Sequence, residues 1–396
     1  MKILRNILLL LIVTVLILIM YSSATNRFSV QQMFQSKWRH TSEETRKKEK
    51  KETVKFPEYV KDKTGYLKFD AQVESHGVTK VASGTAQCYL FPFEKRKNLM
   101  KQMLTVLSPK KGWKLGSVDK KYDEFIYRVG EGDYSLEIGL SQFSYLSSTV
   151  FDKIYRCIDL PQYDQSEDKD RFEPYETKKE FAFRDEDGAR QQILEFMQLC
   201  GVSIGDEYDC HTFYMDHALM KDMQYEMGMD GKEDTSHYCS DWSVEDDGYY
   251  FCMRQTFCGL PLYTDVVGKG TYNASIASSN ILGLVRKDGI DYLDCRVMLK
   301  TQQGKEATPI SMDKVVAAIK DHYEPVAKAD QTVEYSINRI ELMEAAVKQD
   351  DEQYELTPAW ICFVKQKTQG MEGAYYEQIL INAITGQEIT QVYEEW

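Results

Sequence analysis

The sequence predicts an α+β fold in which antiparallel sheets are each packed with one or two helices, behind an N-terminal transmembrane helix. Strands are indicated by apolar residues that alternate with polar ones, as along residues 66–71. Two apolar stripes at helical spacing, near residues 187 and 311, are each followed by further strands rather than by alternating helices and strands. An apolar run at the N-terminus indicates the membrane segment.

The N-terminal segment places the bulk of the chain outside the cytoplasm. Lys2 and Arg5 precede an apolar run at residues 7–20, which is the pattern of an export signal. The run is shorter than the about 20 residues that a membrane span needs, but flanking apolar residues make a span feasible. We therefore expect residues 1–24 to be an uncleaved anchor, with cleavage near Ala24 and secretion as the alternative. Either alternative leaves most of the chain extracytoplasmic.

Length and composition indicate packed domains that do not bind nucleic acid. The chain has 396 residues, enough for two or three domains, and 43% of them are apolar. Its 26 tyrosines suit strands with one face in water, because the ring packs while the hydroxyl reaches solvent. The net charge of −13 repels phosphate backbones, which argues against nucleic acid as a partner.

Cysteine is the residue type that decides whether the exported chain is cross-linked. The chain has 9 cysteines, an odd number that leaves at least one thiol unpaired. Cys200 and Cys210 flank a short loop and are the easiest local pair to join. The sequence leaves the connectivity open, and in a reducing external habitat all of the thiols stay free.

Changes in composition divide the chain after the anchor into a stalk and three outer blocks. Residues 36–55 mix basic and acidic side chains with almost no apolar ones, so we interpret residues 25–60 as a solvated polar stalk. The blocks are a β-rich N-terminal outer domain at 61–178, a middle α+β domain at 179–308 and a C-terminal α+β domain at 309–396. The charged, aperiodic residues 162–179 predict a linker between the first two.

The first outer block has the pattern of an antiparallel sheet. Leu67 and Phe69 alternate with polar neighbours, and residues 125–129 and 134–138 continue as strands around turns that contain glycine. Residues 93–107 predict one helix. Period-two alternation with turns that contain Gly130 and Gly132 favours an antiparallel sheet.

The second and third blocks each begin with a helix that strands follow. Asp187 is the candidate cap of the first helix and Gly201 its end; Ser311 caps the second helix. Pro325 is predicted to close that second helix. The apolar stripes are Ala189, Ile193, Phe196, Met197 and Cys200 in the first and Met312, Val315, Val316, Ile319 and Tyr323 in the second. The strands that follow are predicted at 247–264, 282–285 and 292–299, then at 332–342, 356–364 and 375–383.

The last hairpin contains a strand that we expect at the centre of a sheet. Residues 359–364 are apolar on both faces, so the strand is covered on both sides and Trp360 is expected in the core. Pro358 begins this strand, where a missing N–H costs little. Thr385 and Gly386 then reverse the chain, and Gly386 suits a positive φ.

The same hairpin resembles a known family. The motifs that carry the likeness are Leu356, Pro358 and Trp360, residues 376–386 with Asn382 before the turn, and Gln255, Gly259 and Pro261 upstream. They resemble the C-terminal element of PepSY-like domains and, more closely, the Yyc-type (YycH/YycI-like) regulatory proteins of Gram-positive bacteria, over residues 182–396. The resemblance implies a membrane-anchored protein whose outer domains modulate a sensor histidine kinase, or a member of a related anchored family.

The sequence offers no legible catalytic or cofactor-binding site. Residues 201–205 match G-x-S-x-G, but a nucleophile elbow needs a strand before Ser203, and here a helix precedes it. Ser311 opens an S-x-x-K match, yet it is more simply a helix cap. The acidic residues 185–187 and 245–247 lack the terminal glutamate of an EF-hand. We expect no catalytic and no cofactor-binding residue.

One local cluster contains side chains of the types that bind metals. Its members are Cys210, His211, His217, His237 and Cys239. Structural zinc takes four ligands, commonly as tight pairs, and the spacing here fits that pattern poorly. We interpret the cluster as surface histidines with free or disulfide-bonded thiols and expect no metal. Zinc binding at the cluster is the alternative that the sequence leaves open.

The sequence predicts a protein that binds rather than catalyses. The first hypothesis is a single-pass, outward-facing regulatory or sensory protein that contacts another envelope protein through its anchor and its outer domains. The second is a secreted or surface module for a peptide, protein or glycan, with exposed sheet edges open to an added strand. A glycan-hydrolysing enzyme comes third, because no pair of carboxylates stands out.

Overall fold

The computed structural model describes residues 55–107, 114–119, 124–129, 134–147, 150–155, 160, 172–205, 207–224, 235–264, 276–277, 279–350, 353–371 and 374–390. Strands dominate these residues and helices are few, so the predicted α+β class is confirmed. The predicted anchor at 1–24 and the stalk up to residue 54 lie outside the described residues. In the described ranges, no helix combines the length and the apolar character that crossing a membrane requires.

The first sheet surrounds one long hairpin. Its described strands are β1 (Tyr59–Lys63), β2 (Leu67–Glu74), β3 (Val81–Cys88), β11 (Ile276–Ala277), β14 (Leu299–Ala307), β15 (Val333–Lys348), β16 (Gln353–Thr368), β17 (Tyr375–Asn382) and β18 (Glu388–Ile389). The main order is β1-β2-β15-β16-β17-β18, in which β2 lies parallel to β15 and the other pairs are antiparallel. At the far end of the hairpin, β11 pairs with β15, β3 with β16 and β14 with β3.

The second sheet is antiparallel throughout its described strands. These are β4 (Lys114–Asp119), β5 (Glu124–Val129), β6 (Tyr134–Ile138), β7 (Gln142–Leu146), β8 (Tyr208–Met215), β9 (Gly248–Phe257), β10 (Leu260–Pro261), β12 (Asn280–Arg286) and β13 (Gly289–Arg296). Their order is β10-β9-β12-β13-β7-β6-β5-β4. β8 also pairs with β9, on the side opposite β12. The sheet therefore combines strands from the first and second predicted blocks, since β7 pairs with β13.

Helices pack on one face of the first sheet and on both faces of the second. They are α1 (Phe93–Leu107), α2 (Glu186–Leu199), α3 (His217–Asp222) and α4 (Met312–Ala329), with short π- or 3₁₀-turns at Val150–Tyr155, Glu173–Glu176 and Thr235–His237. Met100 of α1 and Ile193 of α2 lie in the core of the second sheet. Val315 and Ile319 of α4 lie with Trp360 in the core of the first sheet. The predicted stripes thus bury against strands as their helical spacing requires.

The ends of α2 agree with the sequence except for the cap. Asp185 rather than Asp187 is the N-cap, and its carboxylate accepts the Gly188 N–H at 2.9 Å. The reason is the backbone: Asp185 is extended, as a cap must be, whereas Asp187 already lies in the first turn. Gly201 ends the helix with a φ of 76°, as predicted.

Helix α4 continues past the proline that was predicted to end it. Pro325 lies inside the helix, which runs to Ala329, so this prediction is wrong. The proline removes one backbone hydrogen bond, but Ala327 in the following turn is buried in the core, and this packing offsets the loss. Ser311 is at the N-cap position, as predicted, although its side chain makes no capping hydrogen bond.

Strand pairing connects the three blocks that the sequence separates. β2 and β3 of the first block pair with strands of the third, and the described residues from Lys55 onward belong to one compact unit. Folded structure also begins before residue 61, because the rings of Phe56 and Trp360 lie 4.8 Å apart. Phe172 and Tyr175 of the predicted linker are buried in a core cluster, so this part is folded structure and the linker prediction is wrong there.

The central position of the last hairpin strand is confirmed. Trp360 is 0% exposed, and β16 has β15 on one side and β17 on the other at this residue. β15 and β16 each have 16 residues, more than predicted, because their far ends pair with β11 and β3. Gly386 has a φ of 77° in the closing turn, as predicted.

Candidate binding groove

An open groove of about 530 Å³ lies where the two sheets meet. Four segments line it: Tyr89 directly after β3, the loop after α2, the end of β9 with its turn into β10, and the start of β14. Its described lining residues are Tyr89, Ser203, Ile204, Gly205, Glu207, Gln255, Thr256, Cys258, Leu299, Lys300 and Thr301. Most of these carry polar side chains, so the groove suits a ligand rich in hydrogen-bonding groups.

Gln255 joins the sheets at the groove. Its Nε2 donates to the Leu299 carbonyl oxygen at 2.8 Å, and its Oε1 accepts the Leu299 N–H at 2.7 Å. Gln255 is buried, so both bonds form away from bulk water. The side-chain amide therefore satisfies both backbone groups of one position on the outer edge of β14, as a residue of a neighbouring strand would.

The outer edge of β14 is free beyond Leu299. Tyr89 donates its N–H to the Met298 carbonyl at 2.8 Å, which makes these two residues a hydrogen-bonded pair of the β3–β14 ladder. Bonded and non-bonded pairs alternate, so the backbone groups of Leu299, Thr301 and Gln303 point away from β3. The amide bonds to Leu299 agree with this register. Within the described ranges, the outward backbone groups of Thr301 and Gln303 have no hydrogen-bond partner.

Two charged residues, Lys300 and Glu207, line the groove. Lys300 Nζ lies 4.5 Å from the centroid of the Tyr89 ring, a cation–π contact. In the part of the chain that the structure describes, no carboxylate forms an ion pair with this ammonium group. The backbone of Glu207 is held to β9, because its carbonyl oxygen accepts the Thr256 hydroxyl at 2.9 Å. The Lys300 charge is therefore available to a ligand carboxylate.

Ser203 lies in the groove without the surroundings of a nucleophile. Its hydroxyl oxygen accepts the Gly205 N–H at 3.4 Å, and its own N–H faces the Tyr89 hydroxyl at 3.4 Å. None of the described lining residues is a histidine, and no general base is bonded to the Ser203 hydroxyl there. The loop follows α2 directly, which agrees with Gly201 as a helix end rather than part of a nucleophile elbow.

The cysteines offer no activated thiolate in the described structure. Cys200 and Cys210, the pair that was easiest to join by sequence, are both free thiols. Burial raises the pKa of Cys200 to about 12 and that of Cys210 to about 11. Cys258 is exposed in the groove, but partial burial and the nearby carboxylates of Glu344 and Glu306 raise its pKa as well. These thiols are therefore protonated near neutral pH.

The side chains of the predicted metal-ligand cluster have separate hydrogen-bond and ion-pair partners. Cys210 and His211 are successive residues of β8, so they face opposite sides of the sheet. The nearest polar partners are Glu176 Oε1 for His211 at 3.2 Å, Asp247 Oδ1 for His217 at 2.7 Å and Asp241 Oδ1 for Cys239 at 2.6 Å. The side chain of His237 lies outside the described part.

A different set of metal-ligand types lies at the start of α3. Potential ligand atoms of Asp216, His217 and Asp247 are all within 4.8 Å of one another. Asp216 caps α3, with Oδ1 accepting two backbone N–H groups at 3.1 Å and Oδ2 paired with Lys179. Asp247 Oδ1 accepts the His217 N–H at 2.8 Å. These bonds account for the arrangement as a helix-capping network.

A buried ion pair joins the sheets beside Gln255. Arg254 Nη2 in β9 lies 2.6 Å from Asp209 Oδ2 and 3.1 Å from Glu341 Oε1 in β15. His76 Nε2 lies 3.1 Å from the same Glu341 oxygen, and Arg339 Nη2 lies 3.6 Å from the other. Burial alone raises the pKa of Glu341, but these cationic and hydrogen-bonding neighbours lower it to about 2. The pair is therefore ionised at neutral pH and fixes β9 against β15.

Sequence reasoning identified individual residues of the groove but not the groove. It noted Gln255 within the family-like motif and Ser203 beside the helix end. Tyr89, Lys300 and Thr301 carry no motif, and they meet only because β3 pairs with β14. One signal was available, since residues 300–306 are almost entirely polar, which is typical of an edge strand.

Comparison with known proteins yields a similar fold and no family. No family model matches the chain, and no curated protein matches it. An uncharacterised protein from Eubacterium rectale ATCC 33656 is similar in structure, with a TM-score of 0.57 and 15% identity over 84% of this chain and 94% of that chain. The Bacillus megaterium YpeB C-terminal domain matches with a TM-score of 0.26 and 10% identity over 77% of this chain and 99% of that chain. The first similarity shows a shared fold, and the second is too low to support an argument.

Proposed function

We propose that this chain is a non-enzymatic, membrane-anchored regulatory or sensory protein whose extracytoplasmic part acts by contact with another envelope protein. The observation that supports it best is the groove between the sheets. It presents free backbone groups of β14 and an available ammonium group, while its described lining contains no nucleophile bonded to a base. Such a surface can bind a partner through backbone hydrogen bonds and charge.

The anchor and the partner belong to the same proposal. The anchor rests on the basic residues Lys2 and Arg5 followed by the apolar residues 7–20. The resemblance to PepSY-like domains and Yyc-type proteins supports a sensor histidine kinase as the partner. In this mechanism the anchor helix contacts a membrane helix of the kinase, and the outer part contacts the outer domain of the kinase.

A secreted or surface module that binds a peptide, protein or glycan is the second candidate. The same groove favours it, because free strand edges and polar walls serve either role. The two candidates differ in the fate of residues 1–24, which the first retains and the second loses.

We expect the mature protein to sediment with membranes and to be released by detergent but not by salt. The reason is that an apolar segment in the hydrocarbon core is held by burial, which salt does not weaken. Fractionation of cells followed by N-terminal sequencing of the protein measures this. Recovery of a soluble form that begins at Thr25 would contradict the anchor and favour the secreted module.

The same membranes provide the test of contact. Cross-linking of the full chain in intact cells should yield an adduct that contains a sensor histidine kinase, identified by mass spectrometry. A chain whose residues 7–20 are replaced by an unrelated membrane helix is the control for the anchor contact, and it should yield less adduct. Absence of any kinase adduct from both chains would contradict the regulatory proposal.

Changing Ser203 to alanine should abolish no hydrolytic activity. Neither a base nor a strand supports Ser203 as a nucleophile, so assays with acyl esters, peptides and glycans should show no turnover that depends on it. Because Ser203 is exposed, we expect its replacement to change the free energy of unfolding by no more than about 0.5 kcal/mol. A turnover that disappears in Ser203→Ala would show that the chain is a serine hydrolase.

A further inference from the structure

We propose that the free edge of β14 binds an extended peptide segment of the partner, which adds to the first sheet beside Thr301 and Gln303 and carries one carboxylate opposite Lys300. The inference deepens the proposed function and rests on it, because it takes the partner to be a protein. It names the surface, the backbone groups that bind and the charge that selects the segment.

The register of β14 is the first argument. Thr301 and Gln303 direct their N–H and C=O groups away from β3, and residues 300–306 are exposed. An added strand satisfies these groups with backbone hydrogen bonds, which do not depend on side-chain identity. Gln255 already fills the preceding edge position at Leu299, so the added strand begins or ends next to its amide.

The length of the free edge of β14 limits how many residues of the peptide segment can pair with it. The ladder of β14 with β3 shifts register between Gln303 and Glu306, and such an irregularity interrupts regular pairing. Lys305 beyond the shift is the kind of residue that protects sheet edges from nonspecific pairing. The usable edge is therefore the stretch from Lys300 to Gln303, which begins beside the bonded Leu299 and adjoins the groove. The groove volume of about 530 Å³ is within the about 300–1,000 Å³ that is usual for ligand sites.

Charge selects the residue opposite Lys300. In an added strand, that residue has its side chain on the same face as Lys300, where a carboxylate forms a cross-strand ion pair. The Tyr89 ring holds the Lys300 ammonium group at 4.5 Å from its centroid, and no described carboxylate competes for it. The net charge of −13 repels a tract of acidic residues, so the segment carries a single carboxylate among neutral or basic residues.

The edge strand β1 provides a matched control. Val73 donates its N–H to the Glu58 carbonyl at 2.9 Å, which sets the β1–β2 register. By the same alternation, the Lys61 N–H points away from β2. Proline at Lys61 or at Thr301 therefore removes an outward N–H and breaks no ladder bond, as proline on an edge strand is tolerated. The two variants block different edges, and Lys61→Pro also removes one surface charge.

The test selects peptides that bind the protein and then measures their binding to variants in which the edge of β14 is blocked. The full chain in a non-ionic detergent is used to select binders from random linear peptides displayed on phage, and the enriched sequences are synthesised. We expect Thr301→Pro and Lys300→Glu each to weaken peptide binding by at least about tenfold, whereas Lys61→Pro leaves it unchanged. Enriched peptides should share one Asp or Glu flanked by β-favouring residues. Hydrogen exchange of the unmodified protein should slow at Thr301 and Gln303 when a peptide is added.

The outcomes separate this inference from the proposed function. Peptides that bind equally to Thr301→Pro, with unchanged exchange at Thr301, would overturn the edge as the site and leave the proposed function standing if a kinase adduct forms. No enriched peptide would also overturn the inference. A dimer that Thr301→Pro dissociates and no peptide displaces would identify the occupant as a second copy of this chain. If Thr301→Pro does not fold, the exchange measurement on the unmodified protein decides.

Discussion

Replacing Trp360 by alanine should lower the free energy of unfolding by about 3–5 kcal/mol, the usual cost of deleting a buried aromatic ring. The ring is 0% exposed and packs with Ile319 and Tyr323 of α4 in the core of the first sheet. The Phe56 ring packs edge-to-face against the Trp360 ring, with the centroids 4.8 Å apart. The substitution therefore also removes a contact that holds the first described residues to the core. Since whole domains are stable by only about 5–15 kcal/mol, the cellular abundance of the variant should fall.

Urea unfolding followed by far-ultraviolet circular dichroism measures this loss, because the signal does not depend on tryptophan. Tyr375→Ala is the matched control: Tyr375 is 61% exposed in the neighbouring β17, so its replacement should cost no more than about 0.5 kcal/mol. Trp360→Phe should cost less than the alanine variant, because the indole Nε1 has no described hydrogen-bond partner to lose. An unchanged midpoint for Trp360→Ala, with binding to the partner lost, would mark Trp360 as an exposed contact residue.

Strands and helices whose apolar residues repeat at a regular spacing were predictable from the sequence. Leu67 and Phe69 alternate with polar residues and are buried, because successive residues of a strand face opposite sides. Ile193 and Ile319 lie on helical stripes and are buried for the corresponding reason. Gly386 was identified because its turn requires a positive φ, which is a local property.

The partners of each strand were not predictable, because pairing between distant segments leaves no local mark. The three-block interpretation assumed that strands pair near their neighbours in sequence, as most strands do. Instead Leu67 pairs with Tyr335 in a parallel register, and Lys300 pairs with Gln87. The groove depends on the second of these pairings, so its residues could not have been grouped without the structure.

Buried charges were hidden for a related reason. In the sequence, Arg254 and Glu341 are ordinary charged residues in strand-like runs, where a solvated position is the usual expectation. Burial of both becomes tolerable only because β9 and β15 bring them within 3.1 Å of each other. The attraction that offsets the cost of burial depends on both residues, so neither the sequence around Arg254 nor that around Glu341 reveals it.

Changing Glu341 to glutamine should destabilise the protein by about 3–5 kcal/mol near neutral pH, the usual effect of removing one partner from a buried ion pair. The side chains of Arg254 and Glu341 are each only 6% exposed, so the arginine charge that remains is poorly hydrated. Asp209 still pairs with Arg254 in the variant, which places the expected loss toward the lower end of that range. Urea unfolding at a series of pH values measures it.

The loss should depend on pH in a direction set by the pKa of Glu341. The folded state holds this pKa at about 2, below its usual 4.5, through Arg254, His76 and Arg339 acting against burial. A lowered pKa contributes stability that is fully present above the usual pKa and disappears as the pH falls toward the folded value. The difference between Glu341→Gln and the unmodified protein should therefore shrink as the pH falls from about 5 to about 2.

Glu344 in the same strand is the matched control with the opposite sign. It is 0% exposed, its carboxylate oxygens have no described hydrogen-bond partner, and burial raises its pKa well above 4.5. A raised pKa contributes stability below the usual value that is lost as the pH rises, so Glu344→Gln should become progressively more stable than the unmodified protein above about pH 5. Glu341→Gln as stable as the unmodified protein at neutral pH would contradict the role of the ion pair. Parallel pH profiles for the two variants would show that burial of the carboxyl, and not its pairing with Arg254, governs both positions.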